Sequence, residues 1–123
     1  MTPASRRLAH RDLQRARKPD LRRLRTAYGL GQEQFSLLTG FSVRSLAAWE
    51  AGRAPGVAAR RRLQELERLR AALATVVRRE AVSAWLDAPN PAFGGLKPLE
   101  VIERGEIDRL WRMVHELGGG VPA

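Results

Sequence analysis

Side chains able to do acid–base or nucleophilic chemistry are few in this sequence, and they form no catalytic pattern. The chain has no cysteine, so disulfides and thiolate metal sites are excluded. Its two histidines, His10 and His115, lie far apart, and His115 has no serine or cysteine partner. Gly94-Gly95 is not followed by the Lys-Ser/Thr of a phosphate loop. Four carboxylates near predicted helix starts fit the helix dipole better than catalysis: Glu100, Glu103, Glu106 and Asp108. The sequence predicts no enzyme, no cofactor and no metal site.

Two adjacent predicted helices in the first half have the spacing of a nucleic-acid-binding element. One helix is predicted over about residues 32–39, and Gly40 allows a sharp turn after it. Ser42 can cap a second helix that runs to about Ala51. This is the spacing of a helix-turn-helix, in which the N-terminal residues of the second helix face the major groove of DNA.

Apolar residues around this pair are sufficient to hold it in place. Ser36 is small, as the close approach of the two helices requires. A preceding helix, which Asp20 can cap and Gly29 can end, adds an apolar face. The residues predicted to form this small core are Leu21, Leu24, Tyr28, Phe35, Leu38, Phe41, Leu46 and Trp49.

The charge of the chain is concentrated in its first two thirds. Residues 1–80 carry 18 Lys/Arg and 7 Asp/Glu, whereas residues 81–123 carry 4 and 6. A basic region favours a polyanionic partner, most often nucleic acid, and the slightly acidic remainder favours a different task. No apolar run approaches the ~20 residues of a membrane span, and the N-terminus lacks the apolar segment of a secretory signal. We therefore expect a cytoplasmic protein with no membrane partner.

The stretch from Trp85 to Ile107 contains three prolines and three glycines, which no ordinary core helix would carry. Pro89-Asn90-Pro91 forces a turn, and Gly94-Gly95 allows a second reversal of the chain. Pro98 fits the first turn of a short helix over residues 99–104.

Three further helices are predicted around this stretch. A long helix over about residues 57–77 carries a Leu/Val stripe that can join the two halves and pack on another chain. A shorter helix follows over about residues 79–88. The last one, over about residues 106–117, places five apolar side chains on one face: Ile107, Leu110, Trp111, Val114 and Leu117.

The run from Leu30 to Pro55 resembles the Xre/Cro-type repressor domain, with the resemblance covering residues 20–56. It implies that Gln32 holds a DNA phosphate. It also implies that Arg44 pairs with a guanine and that Val43 contacts a thymine methyl group. Contacts to the DNA backbone are implied for three more residues: Ser42, Ser45 and Arg53.

The same resemblance implies a structural ion pair between Arg25 and Glu50. The sequence departs from the repressor pattern where Gly31 replaces the usual cap, and where Val43 and Ala48 are apolar at positions that commonly hold polar readers. Two interpretations therefore stay open: specific operator binding, or a retained fold that mainly dimerises.

The second motif resembles the toxin-binding domain of Xre/MbcA/ParS-type antitoxins over about residues 80–117, through its Trp-Leu helix, Pro-Asn-Pro turn, Gly-Gly and Lys-Pro-Leu-Glu. Such antitoxins usually pair with a RES-domain toxin that degrades NAD. The resemblance implies that this half covers the toxin through Trp85, Pro89, Asn90, Pro91, Phe93, Lys97, Pro98 and Trp111. The chain end after the glycines is predicted to be a flexible plug formed by Val121, Pro122 and Ala123.

The sequence thus predicts an all-α protein with a helix-turn-helix followed by a small helical toxin-binding module. The predicted segments are a basic extension (1–19), the helix-turn-helix (20–56), a connecting and dimerising helix (57–78), the module (79–117) and a tail (118–123). The predicted function is that of the antitoxin in a type II toxin–antitoxin pair, with a RES-domain toxin, operator DNA and a second copy of the chain as partners. The alternatives are a stand-alone helix-turn-helix regulator and an interaction protein without a specific DNA site.

Overall fold

The computed structural model describes residues 20–119, and these form an all-α fold, as predicted. The predicted basic extension, residues 1–19, and the predicted plug, Val121, Pro122 and Ala123, lie outside the described residues. The helices are α1 (Leu21–Ala27), α2 (Gln32–Thr39), α3 (Val43–Glu50), α4 (Val57–Leu73), α5 (Val82–Leu86), α6 (Pro98–Glu103) and α7 (Ile107–Val114). Short 3-10 turns at Arg79–Ala81 and Pro91–Phe93 and a π turn at His115–Gly119 complete the order.

The first three helices begin and end where the sequence provides a cap or a turn. Asp20 accepts a hydrogen bond from the Arg23 N–H at 3.1 Å and so caps α1. Ser42 does the same for α3, accepting from the Ser45 N–H at 3.0 Å. Gly40, at φ +79°, adopts the left-handed conformation that the turn between α2 and α3 requires. The two helices predicted over this region, and the glycine turn between them, are therefore present.

The two predicted halves share one hydrophobic core. Helix α2 packs against both α3 and α6, while α4 packs against α1 on one side and α7 on the other. The buried Tyr28 hydroxyl donates a 2.6 Å hydrogen bond to the Leu66 carbonyl, which ties the end of α1 to α4. Burial raises the pKa of Tyr28 far above its ordinary value, so the hydroxyl remains a neutral donor.

The structure corrects the end of the predicted long helix. Helix α4 ends at Leu73 and not at residue 77, because three β-branched residues follow and the Thr75 hydroxyl donates to the Ala72 carbonyl at 2.6 Å. Its leucine stripe is buried in the chain's own core, with Leu66 fully inaccessible. Three more leucines of the stripe are also buried: Leu63, Leu69 and Leu73. These leucines pack within the chain itself, and dimerisation through this helix stays a prediction.

Two predicted helices near the C-terminus are shorter than expected. The helix predicted over residues 79–88 is a 3-10 turn followed by the single turn of α5. The last helix ends at Val114, and the chain then widens into the π turn. Leu117, predicted on the apolar face of that helix, is 69% exposed because the wider turn carries it off the α7 face.

Among residues 20–119, no helix has the length and apolar content needed to cross a membrane.

Candidate functional site

The first candidate surface is the exposed side of α3. Ser42 and Ser45 hydrogen-bond to each other as well as through the cap, with their hydroxyls 3.0 Å apart. Val43 is 39% exposed, and Arg44 is exposed beside it. In α3, which lies wholly within the described residues, Arg44 is the one charged side chain on the exposed face. The two predicted base-reading residues are therefore accessible, while the two serines act as a cap.

A cluster around Glu50 lies next to this surface. The Glu50 carboxylate is 3% exposed and accepts hydrogen bonds from Arg25 Nη2 and from Gln32 Nε2, both at 2.8 Å. Burial alone would raise the pKa of Glu50, but the hydrogen bonds and the positive charges of Arg25 and Arg22 outweigh it and lower the pKa. The predicted Arg25–Glu50 ion pair is confirmed.

Gln32, predicted to hold a phosphate, is thus joined by its side chain to the protein's own carboxylate. The first N–H groups of a helix have no partner inside that helix, so the start of α2 still offers backbone donors at this position.

Two arginines line a cleft between α1, α3 and α4. One is Arg53, predicted to contact the DNA backbone, and the other is Arg22, whose side chain is 72% exposed. Trp49 and Leu63 also line the cleft. The prediction from sequence missed Arg22, although its place one turn before Arg25 puts it on the same helix face.

The second candidate surface is the segment 87–97, which we call the Pro-Asn-Pro loop. Its backbone folds around Asn90, whose N–H donates to the Leu96 carbonyl at 3.0 Å and whose carbonyl accepts from the Gly95 N–H at 3.1 Å. The Asn90 side chain accepts a further bond from the Ala92 N–H at 3.0 Å. These bonds close the loop and leave Pro89 and Pro91 exposed at its surface.

Two residues predicted to touch the toxin are instead part of the core. Phe93 is 2% exposed, and the Arg109 guanidinium lies over its ring at 5.7 Å from the centroid. Pro98 is buried at the first position of α6. Both side chains therefore contribute to packing beneath the loop and are not available on its surface.

Lys97 bridges the two ends of the loop. Its ammonium group lies 3.1 Å from Asp87 Oδ1, and its backbone N–H donates to Glu100 Oε1 at 3.0 Å, which caps α6. Trp85 and Trp111 pack on the core and remain half-exposed. The loop therefore has a fixed shape, two exposed prolines and a charged pair at its base.

Known proteins match this chain in sequence. The sequence profile of the antitoxin Xre/MbcA/ParS C-terminal toxin-binding domain matches residues 71–119, from the last turn of α4 to the end of the described chain. The mycobacterial cidal antitoxin MbcA of Mycobacterium tuberculosis is 32% identical over 94 residues, which are 76% of this chain and 83% of MbcA. MbcA of Mycobacterium bovis matches to the same extent.

A solved structure agrees with the sequence matches. A chain in the crystal structure of the M. tuberculosis MbcT–MbcA toxin–antitoxin complex superimposes with a TM-score of 0.68 at 28% identity, covering 85% of this chain and 95% of that one. The superposition extends well beyond the residues of the toxin-binding profile, so the N-terminal helices are also part of the shared fold. Because the family profile matches residues 71–119 and MbcA is 32% identical over 76% of the chain, this chain belongs to the Xre/MbcA/ParS family of antitoxins.

Proposed function

We propose that this chain is the antitoxin of a type II pair and neutralises a RES-domain, NAD-degrading toxin by binding it, without catalysis of its own. The observation that carries the proposal is the match of residues 71–119 to a toxin-binding domain whose central loop is closed in the structure. MbcA is an antitoxin, and the superimposed chain comes from a toxin–antitoxin complex; both facts support the same role here.

The physical argument rests on the shape of the Pro-Asn-Pro loop. Binding costs less conformational entropy when the contact surface is already ordered. The loop is ordered by main-chain bonds around Asn90 and by the Lys97–Asp87 pair, so its exposed prolines need not be fixed on contact. Trp85 and Trp111 are half-exposed aromatic residues on the same module, and such residues often contribute most to an interface.

The experiment introduces the same change on each candidate surface. Ala92, in the loop, and Ala47, on α3, are both exposed alanines. Ala92→Glu is expected to weaken binding of a RES-domain toxin co-expressed with this chain, and to restore NAD loss in cells that express both proteins. Ala47→Glu, the matched control, is expected to leave toxin binding and NAD levels unchanged. Equal binding of the two variants would place the toxin surface elsewhere, and unchanged NAD loss with the wild-type chain would refute the antitoxin role for that toxin.

The tail gives a second, narrower test of neutralisation. The family resemblance implies that the chain end enters the toxin's active site, and its residues lie outside the described part of the chain. Gly118 lies against Thr75 and Val76, so a deletion should begin after it. Removing residues 120–123 is expected to preserve the toxin complex and to raise residual NAD hydrolysis within it. Full neutralisation by the shortened chain would show that the helical module is sufficient.

We further propose that the chain binds DNA through α3 and represses its own operon as a dimer on a palindromic site. The specific observation in favour is the capped α3 with exposed Val43 and Arg44, flanked by exposed Arg53. The net charge of +9, carried mainly by the N-terminal two thirds, adds a general attraction to the duplex.

The test compares the chain's own promoter with random duplex at several salt concentrations. Arg44→Ala is expected to cost about 1–3 kcal/mol on the preferred site and to relax one base position. If promoter and random DNA bind equally, the specific site is refuted and only charge-based binding remains. Light scattering of the DNA complex reports whether one or two copies are bound.

A further inference from the structure

The turn between α1 and α2 lies in close contact with α5 of the toxin-binding module. Gly29, in this turn, has φ +70°. A Cβ added at Gly29 would lie 2.9 Å from Ser83 Cβ and 3.1 Å from Ser83 Oγ. A Cβ atom is fixed to its backbone, so no side-chain rotation at Ser83 can open that space. The contact joins the N-terminal half of the chain to residues that the toxin-binding profile covers.

Ser83 belongs to α5, which has little means of holding its own position. The helix is only five residues long, and a helix this short has no intrinsic stability. It is held by its neighbours: Val82 and Leu86 are buried, and α5 packs on α6. The position of α5 is therefore set by the residues it packs against.

The residues that follow Ser83 in the chain connect it to the candidate toxin surface. Trp85 is half-exposed in the same helical turn. The Asp87 N–H donates to the Ser83 carbonyl at 3.2 Å, and the Asp87 carboxylate pairs with Lys97 at the base of the Pro-Asn-Pro loop. A displacement of Ser83 would thus move both an aromatic contact residue and one end of the loop.

We propose that Gly29 is a positioning residue for toxin binding: by lacking a Cβ, it lets α5 seat against the α1–α2 turn and so sets the placement of Trp85 and the Pro-Asn-Pro loop. This inference rests on the proposed toxin-binding function. It makes the N-terminal half of the chain a part of the toxin-binding machinery, whether or not that half binds DNA.

The chain offers a matched control for the test. Gly40 also has a left-handed conformation, at φ +79°, but a Cβ there would meet nothing within 4 Å. Gly29→Ala and Gly40→Ala therefore introduce similar backbone strain, and only the first adds a steric conflict with α5. Gly29→Ala is expected to weaken affinity for the same RES-domain toxin at least tenfold. Gly40→Ala is expected to change it less than threefold.

Second-site substitutions at Ser83 separate positioning from general destabilisation. In the Gly29→Ala background, Ser83→Gly removes both conflicting atoms and is expected to restore most of the toxin affinity. Ser83→Ala keeps the Cβ at 2.9 Å and is expected to restore little. Amide NMR shifts of residues 82–87 should follow the same order, because they report the placement of α5 without the toxin.

Each outcome decides something different. If Gly29→Ala binds the toxin as Gly40→Ala does, or if Ser83→Gly fails to rescue, the positioning role is overturned and the antitoxin function stands. If the wild-type chain binds no toxin, the proposed function fails, and the amide shifts alone then decide whether Gly29 sets the position of α5. If Gly29→Ala does not fold, folding is the readout. Recovery with Ser83→Gly and not with Ser83→Ala supports a steric conflict between positions 29 and 83. Recovery with Ser83→Ala, or with neither variant, overturns it.

Discussion

The exposed face of α3 and the Pro-Asn-Pro loop use their polar groups in opposite ways. Around α3, polar side chains bond to one another: the Ser42 hydroxyl donates to Ser45 Oγ, and the Gln32 amide donates to Glu50. In the loop, the closing bonds are made mainly by the backbone around Asn90. The first surface is therefore a regular helix that offers few free side-chain donors, and the second is an irregular segment whose shape is fixed from within.

This difference bears on how each surface can recognise a partner. A helix with one exposed charged side chain can read few bases directly, so most of its affinity for DNA must come from phosphates. A loop held by main-chain bonds keeps its outline when its exposed side chains change. We therefore expect the loop to lose its shape mainly through buried substitutions, whereas an exposed substitution such as Ala92→Glu changes only the contact it makes. On the α3 surface, exposed substitutions should have the larger effect.

The largest expected effect comes from α4, which supports both surfaces at once. Leu66 is fully buried, and Leu66→Glu would place an unpaired charge in the shared core. We expect this variant to lose its cooperative unfolding transition in urea and most of its helical circular dichroism. Val57→Glu is the control on the same helix, since Val57 is 62% exposed, and it should change stability by about 0.5 kcal/mol or less. A folded Leu66→Glu monomer would instead show that the stripe joins two copies.

The next largest effect is expected from the buried ring that holds the Pro-Asn-Pro loop. Phe93→Ala removes a ring that is 2% exposed and is expected to cost about 3–5 kcal/mol, measured by urea denaturation. Pro91 lies two residues away at the surface, and Pro91→Ala should cost about 1 kcal/mol or less. If the two variants unfold at the same urea concentration, the loop is not held by its buried ring, and the contrast with α3 is lost.

Helix positions were largely predictable from the sequence, because local signals specify them. Asp20 and Ser42 cap the helices they precede, and Gly40 makes the predicted turn. The end of α4 was misplaced because hydrophobic periodicity continued through Val77 while β-branched residues and the Thr75 hydroxyl ended the helix. Local pattern alone does not weigh these two tendencies against each other.

Residue roles within the two surfaces were harder to predict, since they depend on contacts between distant segments. The sequence shows an aromatic residue at Phe93, but not that Arg109 covers it. It shows a glutamine at the start of α2, but not that Glu50 engages its amide. The contact of Gly29 with Ser83 joins segments more than 50 residues apart and leaves no local signature.

A smaller effect, in the pH dependence of stability, tests the cluster beside α3. The pKa of Glu50 is lower in the folded chain than its ordinary value of 4.5. The ionised carboxylate therefore stabilises the fold fully at pH values above 4.5, and this stabilisation is lost as the pH falls through the lower pKa of the folded state. The wild-type chain should therefore lose stability more steeply below pH 4.5 than Glu50→Gln, in urea titrations from pH 6 to pH 3. Parallel curves would show that the carboxylate is not held by Arg25 and Gln32.

The smallest effects should come from single arginines at the cleft beside α3, and they sharpen the claim that this surface reads phosphates. Each phosphate contact removed is expected to lower the slope of log affinity against log salt by about 1, equally on promoter and random DNA. Arg53→Ala and Arg22→Ala should both do so, since the two side chains flank the same cleft. Arg23→Ala removes an equally exposed charge from α1 that does not line the cleft, so its slope should stay near that of the wild type. If all three variants lower the slope alike, binding follows net charge alone, and the cleft has no defined place on the DNA backbone.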